Sequence, residues 1–349
     1  MLVGGVRMSD SIIKVRNLKK WFPVKRSIKD FVKGKPKEYV RAVDGISFDI
    51  KRGEIFGLIG ESGCGKTTTG KLIMKLLEPT DGKMIFNEED VTHLDKDELF
   101  EYKKKVQMIF QDPYASMNPR FKIRDVLFEP LIIHHPRTTL AEMYNKSIKA
   151  LDEVKVSPPE EFIGRYPHML SGGQRQRIAT ARTLILNPKM VVADEPVSMV
   201  DLSTRAELLA MMREVQREHN LTYLYITHDL STARYFTDRI AVMYLGKIVE
   251  IGTADELIDE AKHPYTQALI SAVNEPVAGN VDRIKEVPIK GEIPSAANVP
   301  SGCRFHPRCL YAKPECWEQE EPELNSIGDT HKVACRRWKE IQDEETDIA

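Results

Sequence analysis

One stretch, Gly60-Glu61-Ser62-Gly63-Cys64-Gly65-Lys66-Thr67, limits what this chain can fold into more than any other. It follows the apolar run Ile55-Phe56-Gly57-Leu58-Ile59 and precedes a helical pattern, so it occupies a strand-to-helix turn. Its glycines allow the backbone to fold tightly enough for consecutive N–H groups to converge on phosphate oxygens, at the positive end of the following helix. Lys66 then reaches the β- and γ-phosphates, and the Thr67 hydroxyl is placed for Mg²⁺. A chance glycine-rich turn would not need that flanking strand and helix. Nucleotide binding follows from this stretch; the reaction does not.

The rest of the chain supplies an α/β frame for such a loop. Residues 12–21 and 42–50 read as edge strands, separated by a loop carrying Lys25, Arg26, Lys29, Lys33, Lys35 and Lys37. That loop reads as a solvated surface, with lipid headgroups as the sharper alternative. The pair Trp21-Phe22 ends the first strand and can stack on an adenine ring or pack in a core. Residues 83–86 and 106–110 read as further strands, and Gln111 stands at the end of the second before a loop punctuated by Pro113 and Pro119. From 123 to 154 the pattern is predominantly helical, a block inserted into the α/β core.

Further on, Leu170-Ser171-Gly172-Gly173-Gln174 leads into a helix over 175–186, a second anion-binding design of bare N–H groups, a hydroxyl and a favourable dipole. Met190-Val191-Val192-Ala193 is a buried-type strand ending in Asp194-Glu195, and residues 221–227 form another ending at His228-Asp229. Carboxylates and an imidazole at the C-terminal edge of an open α/β sheet lie where ligands bind. Residues 240–244 and 247–251 alternate around Gly246 as a hairpin.

With 349 residues there is room for about two domains, and a composition shift near 274 marks the boundary of an irregular tail. Pro276, Gly279, Pro288, Gly291, Pro294 and Pro300 spread through it, so a core is hard to build there and a staple would help. Four cysteines, Cys303, Cys309, Cys316 and Cys335, fall in this tail, and their spacing leaves tetrahedral zinc and a 4Fe-4S cluster both open. The 51 basic residues nearly cancel the 52 acidic ones, which argues against a nucleic-acid footprint. No apolar run approaches a membrane span, so the expectation is a soluble, cytoplasmic chain unless something docks it elsewhere. Met8 is a second candidate start.

The phosphate loop, Gln111, residues 170–174, residues 190–195, Ser198 to Asp201 and His228 occur in the order and spacing of the ATP-binding subunits of ABC transporters. The resemblance covers about residues 12–260. Two further runs, residues 110–119 and His263-Pro264-Tyr265-Thr266 with Gly302-Cys303-Arg304-Phe305-His306-Pro307-Arg308-Cys309, resemble the oligopeptide/dipeptide importer branch. The long basic loop is similar to that of the second, F-type ATPase of the pair such importers carry.

The resemblance implies an α/β nucleotide-binding domain over 12–260. It has an antiparallel β subdomain, a helical subdomain at about 112–180, and an extension over 261–349. It implies that Gly60, Glu61, Ser62, Gly63, Cys64, Gly65, Lys66, Thr67 and Thr68 bind ATP, that Thr67, Gln111 and Asp194 serve Mg²⁺, and that Phe22 faces adenine. Glu195 would polarise the attacking water and His228 contact the γ-phosphate. Ser171, Gly172, Gly173 and Gln174 would close over the nucleotide of a second ATPase, in a heterodimer. The implied assembly adds two membrane permeases and, indirectly, an extracytoplasmic binding protein, at the cytoplasmic face of the membrane, importing peptides or related oligosaccharides. Met199-Val200 departs from the commoner Ala-Leu before Asp201, which bears on subunit packing. For the four cysteines it implies a 4Fe-4S cluster in place of zinc. The alternative reading is a non-transport ABC ATPase acting on nucleic acid or protein complexes.

Overall fold

The computed structural model describes residues 10–24, 37–273 and 289–346. The basic loop from 25 to 36, the stretch with Pro276, Gly279 and Pro288, and Met8 lie outside the described residues, while Lys37 is exposed.

The strands are β1 Ser11–Pro23, β2 Tyr39–Lys51, β3 Ile55–Ile59, β4 Asp81–Phe86, β5 Glu89–Asp90, β6 Val106–Ile109, β7 Met190–Asp194, β8 Thr222–Thr227, β9 Arg239–Tyr244, β10 Lys247–Thr253, β11 Asn325–Ser326 and β12 Lys332–Val333. They form two sheets. One is antiparallel, in the order β2-β1-β4-β5, and the other runs β11-β12-β10-β9-β3-β8-β7-β6. The first strand is therefore interior, flanked by β2 and β4, and the edge position expected for it is corrected: its inward residues Ile13, Val15 and Leu18 are fully buried.

In the larger sheet β3 is hydrogen-bonded in parallel to both β8 and β9, and β7 in parallel to both β8 and β6. Every residue of β3, β7 and β8 is buried, which is why these segments are continuous apolar runs with no alternation. Because β3, β8, β7 and β6 point the same way in near register, the segments following each emerge at one edge. Leu245 and Gly246, both at positive φ, turn β9 into the antiparallel β10.

The helices are α1 Lys66–Ile73, α2 Lys96–Lys105, α3 Pro113–Ser116, α4 Ile123–His134, α5 Leu140–Glu153, α6 Pro159–Phe162, α7 Gly172–Leu184, α8 Leu202–His219, α9 Leu230–Phe236, α10 Ala254–Asp259, α11 Pro264–Val273, α12 Glu315–Glu318 and α13 Trp338–Thr346. One core holds the antiparallel sheet, α1 and one face of the parallel sheet, with Phe48 stacked on Phe56 at 5.4 Å between ring centres. A second gathers the apolar faces of α4, α5, α7 and α8 over the opposite face.

The C-terminal segment packs on a third core, in which Phe305 meets Tyr244, Tyr265 and His263. Two short strands, β12 and β11, extend the large sheet beyond β10. This changes the reading of the four cysteines. Among the described residues no group of three or more His, Cys, Asp or Glu side chains could hold a metal ion, so the 4Fe-4S cluster assigned to Cys303, Cys309, Cys316 and Cys335 is corrected, and zinc with it. All four are free of disulfides. Burial pushes the Cys303 and Cys335 thiols up to about 12 and raises Cys309, with the neighbouring cysteines adding to each shift. Nor does the tail need a staple, because the aromatic core and the pairs of buried Arg304 with Asp44 and buried Arg308 with Glu61 hold it.

Candidate nucleotide site

A cleft of about 670 Å³ opens at the edge where the parallel strands end. It is lined by the phosphate loop with Thr68, and by Gln111, Glu195 and His228 from three other strand ends. The loop's shape depends on glycine at two places. Gly60 (φ 155°) and Gly65 (φ 113°) each press against backbone, and a Cβ there would come within 2.1 Å of the Met243 and Ala42 carbonyl oxygens respectively. The Lys66 side chain is buried, its Nζ donating to the carbonyl oxygens of Gly60 (2.6 Å) and Glu61 (3.0 Å), which fixes the ammonium over the loop. Cys64 is buried and burial raises its thiol, as suits a filler in the core beneath the loop.

From β7 come two carboxylates with different surroundings. Asp194 is buried and accepts from the Thr67 hydroxyl at 3.2 Å; burial raises its carboxyl above the usual range, the Glu195 charge adds to that, and Thr67 and Lys66 oppose it. Glu195 sits at φ 48°, a left-handed conformation costly for a non-glycine residue, and its N–H donates to the Ile226 carbonyl of β8. Its carboxylate is held from both sides: Gln111 Nε2 donates to Oε2 at 2.8 Å, and His228 Nδ1 lies 2.9 Å from Oε1. Two side chains, 84 and 33 positions away, thus converge on the Glu195 carboxylate at the mouth of the loop. Strand ends in parallel register bring this about, so the sequence signal that located them was the end of each apolar run.

Other expected residues lie apart. Ser171 caps α7 in a reciprocal box with Gln174, its hydroxyl accepting from Gln174 N–H (3.2 Å) and Gln174 Oε1 accepting from Ser171 N–H (3.0 Å). Gly173 packs against Thr204. Neither these residues nor Gly172 line the cleft with Lys66. Phe22 also stays out of the cleft lining, with Lys20 Nζ 5.3 Å from its ring centre, while the Trp21 indole donates to Asp44 at 2.8 Å.

Sequence reasoning missed residues that reach this site from after position 260. Leu269 and Ile293 line the cleft, Tyr265 accepts from the Glu61 N–H at 2.9 Å, and Arg308 pairs with the Glu61 carboxylate. Tyr265 and Arg308 both belong to the second run that carried the branch resemblance, where they had no role. A paired Arg and Glu so far apart in sequence leave no local pattern.

Comparison with known proteins fits this geometry. The family described as ABC transporter matches residues 43–198, and the oligopeptide/dipeptide transporter C-terminal region matches residues 249–316. The chain is 46% identical over 333 residues to the oligopeptide transport ATP-binding protein AppF of Bacillus subtilis, covering 94% of this chain and 98% of the relative. It is 42% identical to the dipeptide transport ATP-binding protein DppF of Escherichia coli, covering 94% and 95%. Among solved structures, the dimeric post-hydrolysis state of the ATP-binding cassette MJ0796 bound to ADP and Pi superposes with a TM-score of 0.60 at 27% identity, over 69% of this chain and 98% of the other.

Proposed function

The chain belongs to the ABC transporter family, in the branch of oligopeptide and dipeptide transport ATP-binding proteins, and from that membership we propose that it is the ATP-hydrolysing subunit of a peptide importer. The observation that carries this reading is the Glu195 carboxylate, held between Gln111 and His228 at the mouth of the cleft that the phosphate loop lines.

Lys66 and the backbone N–H groups of residues 60–68 take the phosphates, His228 contacts the γ-phosphate, and Phe22, with Trp21 beside it, is assigned to adenine. Glu195 accepts a proton from the attacking water. The water oxygen bonds to the γ-phosphorus as the bond to the β,γ-bridging oxygen breaks, giving ADP and phosphate. Thr67, Gln111 and Asp194 would hold Mg²⁺, a donor set of one carboxylate and neutral oxygens that suits an ion keeping several of its waters. Bound there, Mg²⁺ neutralises charge on the β- and γ-oxygens.

Because Ser171 to Gln174 do not line the cleft, we assign them to the nucleotide of a second, non-identical cassette. Residues 12–260 would form the ATPase domain, with a helical part at about 112–180, and residues 261–349 the cysteine-rich extension. The permeases would dock near the loop from 112 to 124, where Phe110 and Ile133 are exposed beside a groove of about 250 Å³. Gln111 joins that surface to Glu195, so phosphate occupancy can be converted into movement of the groove. Among the described residues no helix is long and apolar enough to cross a membrane, and the protein would sit at the cytoplasmic face through its permeases. A non-transport role on nucleic acid draws no support from the near-neutral charge or from relatives named for transport.

Glu195→Gln tests the reading. ATP binding should be unchanged while steady-state hydrolysis falls by about 10²-fold or more, since the base is lost and the shape kept. Turnover within about threefold of wild type would overturn the assignment.

A further inference from the structure

The phosphate loop is held from outside the nucleotide-binding core. Arg308 donates two hydrogen bonds to the Glu61 carboxylate, Nη1 to Oε2 at 2.7 Å and Nη2 to Oε1 at 3.0 Å, a planar fork on a planar acceptor. Arg308 is buried, on a tight turn over His306–Arg308 whose preceding residue, Phe305, is locked among Tyr244 and Tyr265. Glu61 is thereby fixed at three points: its carboxylate by Arg308, its N–H by the Tyr265 hydroxyl, and its carbonyl by Lys66.

A second tie runs in parallel. Arg304 donates to Asp44 (2.5 Å) and to the Leu245 carbonyl (2.5 Å), and Asp44 stands two residues from Ala42, which lines the cleft. Leu269 and Ile293 extend the same contact into the cleft itself.

We infer that Arg308 is a positioning residue for nucleotide binding, acting through Glu61 to hold the phosphate loop and its Lys66 in the binding geometry, so that the C-terminal extension braces the site in cis. The inference rests on the reading of the cleft as a nucleotide site. Without Arg308 the Glu61 carboxylate is half-buried and unpaired, and relief comes by turning the Glu61 backbone, which moves the carbonyl that anchors Lys66.

A double-mutant cycle on the full chain tests it, reading MgADP affinity by calorimetry beside the thermal midpoint. Arg308→Gln and Glu61→Gln should each weaken binding about tenfold, and the double variant should lose no more than either alone, because the two side chains act as one unit. At saturating ATP the rate should fall less than the affinity, so the effect appears in KM more than in kcat. Arg308→Lys, which keeps the charge and loses the fork, should bind more weakly than wild type while folding, and serves if Arg308→Gln does not fold. Lowered thermal midpoints with wild-type affinity in these variants, or losses that add in the double variant, would overturn the inference. Failure of the wild type to bind MgADP would instead overturn the nucleotide reading beneath it.

Discussion

Gly60, Gly63 and Gly65 look interchangeable as letters and are not so in space. A Cβ on Gly65 would meet the Ala42 carbonyl oxygen at 2.1 Å at φ 113°, whereas one on Gly63, at φ 80°, meets nothing within 4 Å. Gly65→Ala should therefore abolish nucleotide binding and lower stability by several kcal/mol, while Gly63→Ala should cost only the about 1–2 kcal/mol of a left-handed L-residue. Denaturant unfolding with a parallel nucleotide titration separates the two. His263 gives a pH dependence. It is buried, its Nδ1 accepts from the Tyr265 N–H, and its neighbours are Glu250, which takes the His263 N–H, and through Glu250 the imidazole of His331. Burial lowers its pKa to about 4 from 6.5, the Glu250 charge opposing. The folded state thus binds the proton less well than the unfolded one. Its contribution is full above pH 6.5 and is lost as pH falls from there towards 4, by up to about 3 kcal/mol. Unfolding free energies of wild type and His263→Gln should converge over that window; parallel curves would contradict the assignment.

At the scale of elements, polar caps satisfy helix N-termini and strand ends carry the carboxylates of the candidate site. The Ser171–Gln174 box satisfies the first turn of α7, and Ser171 is exposed. Ser171→Ala should cost only about 1 kcal/mol of stability, the usual worth of an N-cap. If its larger role is to meet a partner's nucleotide, turnover in the assembled transporter should fall by far more than that small loss explains, with nucleotide affinity of the isolated chain unchanged. Comparing the thermal midpoint with the rate of the assembled complex checks this. Elements were unequally legible. β3, β7 and β8 announce themselves as unbroken apolar runs because both faces are covered. The highly charged α2 presents only Tyr102 to the interior, so its apolar stripe is a single residue and no period could reveal it.

For the whole molecule, the separation of Ser171 from the cleft predicts that hydrolysis depends on a partner. The protein alone should be a weak ATPase whose specific activity rises steeply when the second cassette is added. Strong turnover independent of protein concentration, in a sample that light scattering finds monomeric with ATP, would refute it. The C-terminal segment belongs to this scale too. Read as a tail in need of a staple, it is held instead by Phe305 in an aromatic core, by Arg308 on Glu61 and by Arg304 on Asp44.

What the sequence determined by itself was the parallel α/β core, the phosphate loop and the set Gln111, Asp194, Glu195 and His228. Each is written locally, as a glycine turn or as the residue that ends an apolar run, and parallel pairing carries all those ends to one edge. Only the tertiary structure decided that Glu195 adopts a left-handed backbone between two partners, that the Trp21 indole is engaged by Asp44, and that Arg308 grips the loop from 247 positions away. It also decided against a metal centre at the four cysteines. Count and spacing say that four thiols exist, whereas ligation depends on how the fold places them relative to one another, and that is not carried by the order of residues along the chain.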